Sequence, residues 1–143
     1  MTRLINILLI EDNPGDIRLT REALRESVVP HELNVVGDGA EAIRYLERVS
    51  TAAPSAVPDL VLLDLNLPKL NGHEVLQRIK SHDQWKVIPV VVLTTSEADG
   101  DILACYTQHA NCYISKPLAL HTFMDVVKQI QEFWLSLVHL PRT

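Results

Sequence analysis

The chain has 143 residues, is 47% hydrophobic and 22% charged, and carries a net charge of −5. That size suits one domain with a real core and is too small for a core plus a separate output module, while an acidic balance without any Lys/Arg run speaks against nucleic acid or an anionic membrane surface and for a protein partner. The longest apolar runs, such as Leu60 to Leu63, fall far short of the ~20 residues that span a bilayer, and the N-terminus lacks a basic region followed by a long apolar stretch, so a cytoplasmic protein is expected.

Strand-length apolar runs alternate with helical periodicity, the pattern of a parallel sheet covered by helices on both faces. The first strand is Ile5 to Ile10, a nearly continuous apolar run of the kind buried on both sides; it ends at Glu11-Asp12-Asn13-Pro14. A helix follows from Pro14 to Glu26, with Pro14 tolerated in its first turn. The second strand is Leu33 to Val36. Gly37-Asp38-Gly39 leads into a helix that places Ala42, Ile43, Leu46 and Val49 on one face. Ser50 to Pro58, rich in Ser, Ala and Pro, reads as a surface loop.

The third strand is Leu60 to Asp64, followed by a loop through Pro68 and Gly72 and a helix from His73 to Ser81. The fourth is Pro89 to Leu93, with Thr94-Thr95-Ser96 at its end, and a helix covers Asp99 to His109. The short fifth strand, Cys112 to Ile114, leads to Lys116-Pro117. A last helix carries an apolar stripe from Leu120 through Phe133, Trp134 and Leu137. Five strand–helix units with right-handed crossovers give an α/β, doubly wound, flavodoxin-like (βα)5 sheet in strand order 2-1-3-4-5. Cys105 and Cys112 lie in no CxxC pattern and read as small core residues in a reducing compartment.

Each strongly polar residue singled out here, Glu11, Asp12, Asp64, Thr94, Thr95 and Lys116, sits just after a strand. They share the carboxyl edge of the sheet, where open α/β folds bind ligands at the reversal of strand order between strands 1 and 3. Three carboxylates meeting there repel one another, and a hard divalent cation removes the conflict. Oxygen-only ligands with positions left for water and phosphate suit magnesium, or manganese, and Asn66 is placed to lend a backbone carbonyl. Lys116 can neutralise phosphoryl oxygens and Thr94 can add a hydroxyl donor. The set supports in-line attack by an Asp64 oxygen on a phosphorylated donor, giving an aspartyl phosphate.

Glu11-Asp12, Asp64 within Leu-Leu-Asp-Leu-Asn-Leu-Pro, Thr94-Thr95-Ser96 and Lys116-Pro117 together resemble the receiver domain of two-component response regulators, over Leu4 to Leu137. The resemblance implies that Asp64 takes phosphate from a sensor histidine kinase and that Glu11, Asp12, Asp64 and the Asn66 carbonyl hold magnesium. It implies too that Thr94 turns toward the phosphate, that Tyr113 rotates inward with it, that Lys116 pairs with the phosphoryl oxygens, and that the bond to Pro117 is cis. Glu-Asp-Asn-Pro-Gly-Asp-Ile-Arg-Leu-Thr from Glu11, His-Ala-Asn-Cys-Tyr-Ile-Ser-Lys-Pro from His109 and Glu-Phe-Trp from Glu132 resemble the small single-domain regulators paired with cyanobacterial phytochromes. A signal would then leave through the face of helix 4, strand 5 and helix 5. A homodimer through that face, using Tyr113, Phe133 and Trp134, is expected.

Two rival readings stay open. Gly37-Asp38-Gly39-Ala40-Glu41-Ala42 has the form of a nucleotide-binding fingerprint between a strand and a helix, as in a mononucleotide-binding flavodoxin-like protein. An aspartate-nucleophile phosphatase shares the acyl-phosphate chemistry, but needs a second carboxylate at position 66, which is Asn. The histidines form no HExxH motif, because His73-Glu74 is followed by Gln77.

Overall fold

A computed structural model of the chain describes residues 4–141, so the ends of the expected domain, 1 and 143, lie outside the described residues. Five parallel strands, β1 (Ile5–Ile10), β2 (His31–Val36), β3 (Leu60–Leu63), β4 (Val90–Thr94) and β5 (Cys112–Ser115), form one sheet in the order β2-β1-β3-β4-β5. The helices are α1 (Pro14–Leu24), α2 (Gly39–Ala52), α3 (Gly72–Ser81), α4 (Asp99–Thr107) and α5 (Leu120–Gln131). The strand order and fold class are those read from the alternation of apolar runs.

Alternation along each strand divides the core in two. Leu8, Ile10, Val61, Leu63, Val90 and Val92 point to one face and pack with α2 and α3 residues such as Leu46 and Leu76. Ile7, Leu9, Leu60, Leu62, Val91 and Leu93 point to the other, against Leu24 of α1 and Phe123, Val127 and Ile130 of α5. Because every second residue of a central strand is apolar toward each side, β1 and β3 are almost wholly buried.

Local chemistry sets the helix starts. Asn13 caps α1 by accepting the Asp16 N–H at 3.0 Å, with Pro14 at a position whose amide needs no partner. Asp38 caps α2 through the Glu41 N–H at 2.7 Å. Asn71 and Glu74 form a reciprocal capping box on α3. α4 begins at Ala98 with no side-chain cap, and buries only Cys105.

Several boundaries differ from the sequence reading for physical reasons. β2 starts two residues earlier, since the ladder to β1 pairs Ile5 with His31 and Asn6 with Glu32 despite the polar side chains of this edge strand. α2 runs on to Ala52, and only Pro54–Ala56 of the expected loop forms a short 3-10 turn. The final helix widens into a π-helical turn over Glu132–Leu137, closed by the Val138 N–H on the Phe133 carbonyl at 3.0 Å. The wider turn keeps Leu135 buried and Trp134 half-buried against the α1/α5 core, and leaves Phe133 48% exposed.

Candidate functional site

The strand ladders carry the polar residues to one edge. The Asp64 N–H bonds to the Ile10 carbonyl at 3.0 Å, extending the β1–β3 ladder by one residue and placing Asp64 beside the chain that continues as Glu11. The Glu11 N–H bonds to Val36 O at 3.0 Å. On the far side the Lys116 N–H bonds to Thr94 O at 2.7 Å, extending β4–β5 in the same way. Lys116 is thereby aimed back across the edge of the sheet.

Its side chain is 4% exposed, and the ammonium meets three carboxylates: Glu11 Oε1 at 2.5 Å, Asp16 Oδ2 at 2.8 Å and Asp64 Oδ2 at 3.2 Å. The other Asp64 oxygen accepts the Asn66 N–H at 3.2 Å, so each oxygen has one fixed donor and the plane of the carboxylate is set. Glu11 Oε2 accepts the Asn13 N–H at 3.2 Å. Burial opposes charge on Lys116, but hydrogen bonds to Asp16 and Glu11 outweigh it and hold the ammonium above its ordinary range. Burial, aided by the Asp64 charge, pushes the Glu11 carboxyl up to about 7 even with Lys116 alongside.

The charge balance points to a cation. Glu11, Asp12 and Asp64 each offer an oxygen, and these oxygens all lie within 4.8 Å of one another. With Asp16 added, the cluster holds four carboxyl groups, three of them on Lys116, the one ammonium that meets them among the described residues. An all-oxygen set of this kind, with Asp12 exposed toward solvent, fits a hard divalent ion that keeps part of its water shell. Thr94 is fully buried, and its hydroxyl has no hydrogen-bond partner among the described residues. A polar atom left so at the end of β4 is a donor free for an incoming acceptor.

A match to the response regulator receiver domain covers residues 7–128. The chain belongs to the response regulator receiver family. This receiver is 46% identical, over 135 residues and 94% of its length, to response regulator Rcp1 of Synechocystis sp., covering 92% of that protein. The crystal structure of the phosphorylated cyanobacterial phytochrome response regulator RcpA superimposes with a TM-score of 0.92 at 52% identity, over 97% of this chain and 99% of that one. The Mn(2+)-bound form of Rcp1 superimposes with a TM-score of 0.91 at 45% identity, over 96% and 99% of the two chains.

The receiver fold gathers Glu11, Asp12, Asp64 and Lys116 as the sequence reading placed them. Thr95 is instead exposed, beyond the last residue of β4. Tyr113 is half-buried, with its hydroxyl on the Ser96 carbonyl at 3.0 Å. One expectation is corrected: no peptide bond among the described residues is cis, so Lys116–Pro117 is trans. An X–Pro bond favours trans by about 0.5–1 kcal/mol, and the trans chain already delivers the Lys116 ammonium to all three carboxylates.

Sequence reasoning missed Asp16, which looks like an ordinary acidic residue in the first turn of α1. Nothing in its spacing marks it out, because Asp12 lies before the helix, which begins at Pro14 after the Asn13 cap. The structure also accounts for the glycine fingerprint without a nucleotide. A Cβ at Gly39 would fall 1.7 Å from the Leu70 carbonyl oxygen, so this glycine permits close packing of α2 on the β3–α3 loop. The helix N-terminus that would receive a phosphate is capped by Asp38.

Proposed function

We propose that Asp64 accepts a phosphoryl group from a sensor histidine kinase, of the phytochrome type, and that the modified domain signals through the face of α4, β5 and α5. The observation that carries this reading is the convergence of Lys116 on Asp64, Glu11 and Asp16 at 3.2, 2.5 and 2.8 Å. An ammonium there faces the nucleophile and the developing charge on the transferred group.

In the transfer an Asp64 carboxylate oxygen forms a bond to phosphorus as the bond from phosphorus to the donor imidazole nitrogen breaks, and that nitrogen keeps the electron pair. No general base is required, because the nucleophile is ionised. The Asn66 N–H and Lys116 orient the carboxylate. Lys116 then turns to the phosphoryl oxygens, and the Thr94 hydroxyl gains its acceptor. Glu11, Asp12, Asp64 and the Asn66 carbonyl would hold a divalent ion, which when bound would further neutralise the phosphoryl oxygens. Beyond this self-catalysed transfer and slow hydrolysis of its own acyl phosphate, the protein turns over no substrate. Position 66 offers an amide where a phosphatase needs an acid.

The protein works in the cytoplasm; no described helix is long and apolar enough to cross a membrane. Leu103 and Tyr106 on α4 and Phe133 and Leu137 beyond α5 are exposed, which favours a homodimer through that face, with Tyr113, Phe133 and Trp134 at or near the contact. A light-scattering mass of one chain at high concentration, with and without a phosphate mimic, would remove the dimer. The phosphoacceptor reading is tested with acetyl phosphate and magnesium: intact mass should gain one acid-labile phosphoryl group, and Asp64→Asn should gain none. An adduct of equal yield in Asp64→Asn would contradict it.

A further inference from the structure

A second polar network joins two helices and one strand through the β4–α4 loop. His73, at the start of α3, meets Asp101 Oδ1 with Nε2 at 3.0 Å. Asp101, in the first turn of α4, accepts the Ser96 hydroxyl on Oδ2 at 2.6 Å. Ser96 belongs to the β4–α4 loop, and its carbonyl accepts the Tyr113 hydroxyl from β5 at 3.0 Å. On the other side of the imidazole, the Cys105 sulfur stands 3.9 Å from Nδ1.

One arrangement of protons satisfies every member. Nε2–H donates to the Asp101 carboxylate, and Nδ1 accepts from the Cys105 thiol. Burial pushes that thiol up to about 11, so it stays protonated and able to donate. Hydrogen bonds from Ser96 and then His73 hold Asp101 below its ordinary range, so the carboxylate stays charged.

What gives the network leverage is the weak fastening of α4. This helix buries only Cys105 and has no side-chain cap at Ala98, while Leu103 is 69% exposed. Apolar packing therefore does little to set its position or that of residues 95–98. The bonds from Asp101 to α3 on one side and to Ser96 on the other are left to do so. The Ser96 hydroxyl oxygen also accepts the Ala98 N–H at 3.3 Å, tying the loop to the helix start.

We propose that His73 and Asp101 are positioning residues for Tyr113: through Ser96 they hold the β4–α4 loop carbonyl where the tyrosine hydroxyl reaches it. The functional half of this inference rests on Asp64 as phosphoacceptor, since a loop already ordered around Tyr113 leaves less reorganisation for the phosphoryl-bound state. The network thus tunes how readily the output face follows the phosphate.

The test is fluorine NMR on the full chain labelled with 3-fluorotyrosine, which gives three signals to assign, with Tyr113 identified by Tyr113→Phe. Beryllofluoride with magnesium serves as the phosphoryl mimic. In the free protein, His73→Ala and Ser96→Ala should each move the Tyr113 signal toward that of an exposed tyrosine. Each should weaken beryllofluoride binding roughly two- to tenfold, the range for one net hydrogen bond. The double variant should lose little more than either single one, because the links act in series. His73→Gln, whose amide nitrogen can donate to Asp101, should stay close to the parent. A Tyr113 signal unmoved in both alanine variants, or fully additive losses in the double variant, overturns the proposal. Failure of the parent to bind beryllofluoride counts against the phosphoacceptor reading instead, and the signals of the free protein still decide the network.

Discussion

The Lys116 ammonium lies 2.8 Å from a carboxylate oxygen of Asp16, a residue one hundred positions earlier in the chain. Asp16 adds a fourth carboxyl group to a pocket in which Lys116 is the one cation paired with it among the described residues, so the two side chains should have opposite mutational signatures. Lys116→Met strands buried carboxylates, and without divalent ions it should lower stability by about 3–5 kcal/mol. Magnesium should restore much of that loss and should bind the variant more tightly than the parent. Asp16→Asn relieves repulsion and keeps an acceptor for Lys116, so stability should change by less than about 1 kcal/mol while magnesium binds severalfold more weakly. Denaturant titrations with and without magnesium check both.

A pocket with this charge balance should make folding stability depend on divalent ions. At a magnesium concentration one hundred times its Kd, mass action adds about 2.7 kcal/mol. Thermal unfolding should therefore shift upward by several degrees in the parent and much less in Asp12→Asn, whose exposed carboxylate lies within 4.8 Å of oxygens of Glu11 and Asp64. Calcium-free buffers with added EDTA set the baseline.

Gly72 lets α3 start in close contact with the backbone of Asp64. A Cβ there would fall 2.4 Å from the Asp64 carbonyl oxygen and 2.4 Å from Leu65 Cα, both backbone atoms that cannot swing away. Gly72→Ala should cost about 1–3 kcal/mol and slow phosphorylation of Asp64 by acetyl phosphate, since the backbone of the nucleophile itself must shift. Leaving the phosphorylation rate of the folded variant unchanged would show that Asp64 tolerates the displacement.

The two cysteines give a pH-dependent test. Burial raises the Cys105 thiol from 9.0 to about 11 and raises Cys112 as well. Above pH 9 the unfolded chain releases the Cys105 proton while the folded chain keeps it, so this residue favours folding less as pH rises from 9 to 11, and has no effect below that window. At pH 8 only about one native Cys105 in a thousand is ionised, so iodoacetamide should label it orders of magnitude more slowly than after unfolding.

Much of this was legible because a short rule connects strand ends to the ligand edge of an open α/β sheet. Glu11, Asp64 and Lys116 could be placed together from three apolar runs and the polar residues that end them. Asp16, His73, Asp101 and Ser96 could not, because each is an ordinary residue of a helix start or loop, and its partner is chosen by the relative position of two elements. The π-helical turn was hidden for a related reason: Phe133, Trp134 and Leu137 continue the stripe of α5, and only the packing of Leu135 and Trp134 shows where the turn widens. The Lys116–Pro117 bond was read from resemblance, and no residue in the sequence distinguishes its two isomers.

The central claim, that Asp64 is the nucleophile of a phosphoryl transfer, is tested most directly by trapping the acyl phosphate. Borohydride reduction of the protein after phosphotransfer from a histidine kinase should convert Asp64 alone to homoserine, located by peptide mass mapping, with no conversion unless magnesium and donor are both present. Homoserine at Asp12 or Asp16, or a phosphoryl group that survives reduction on a serine or threonine, would contradict it.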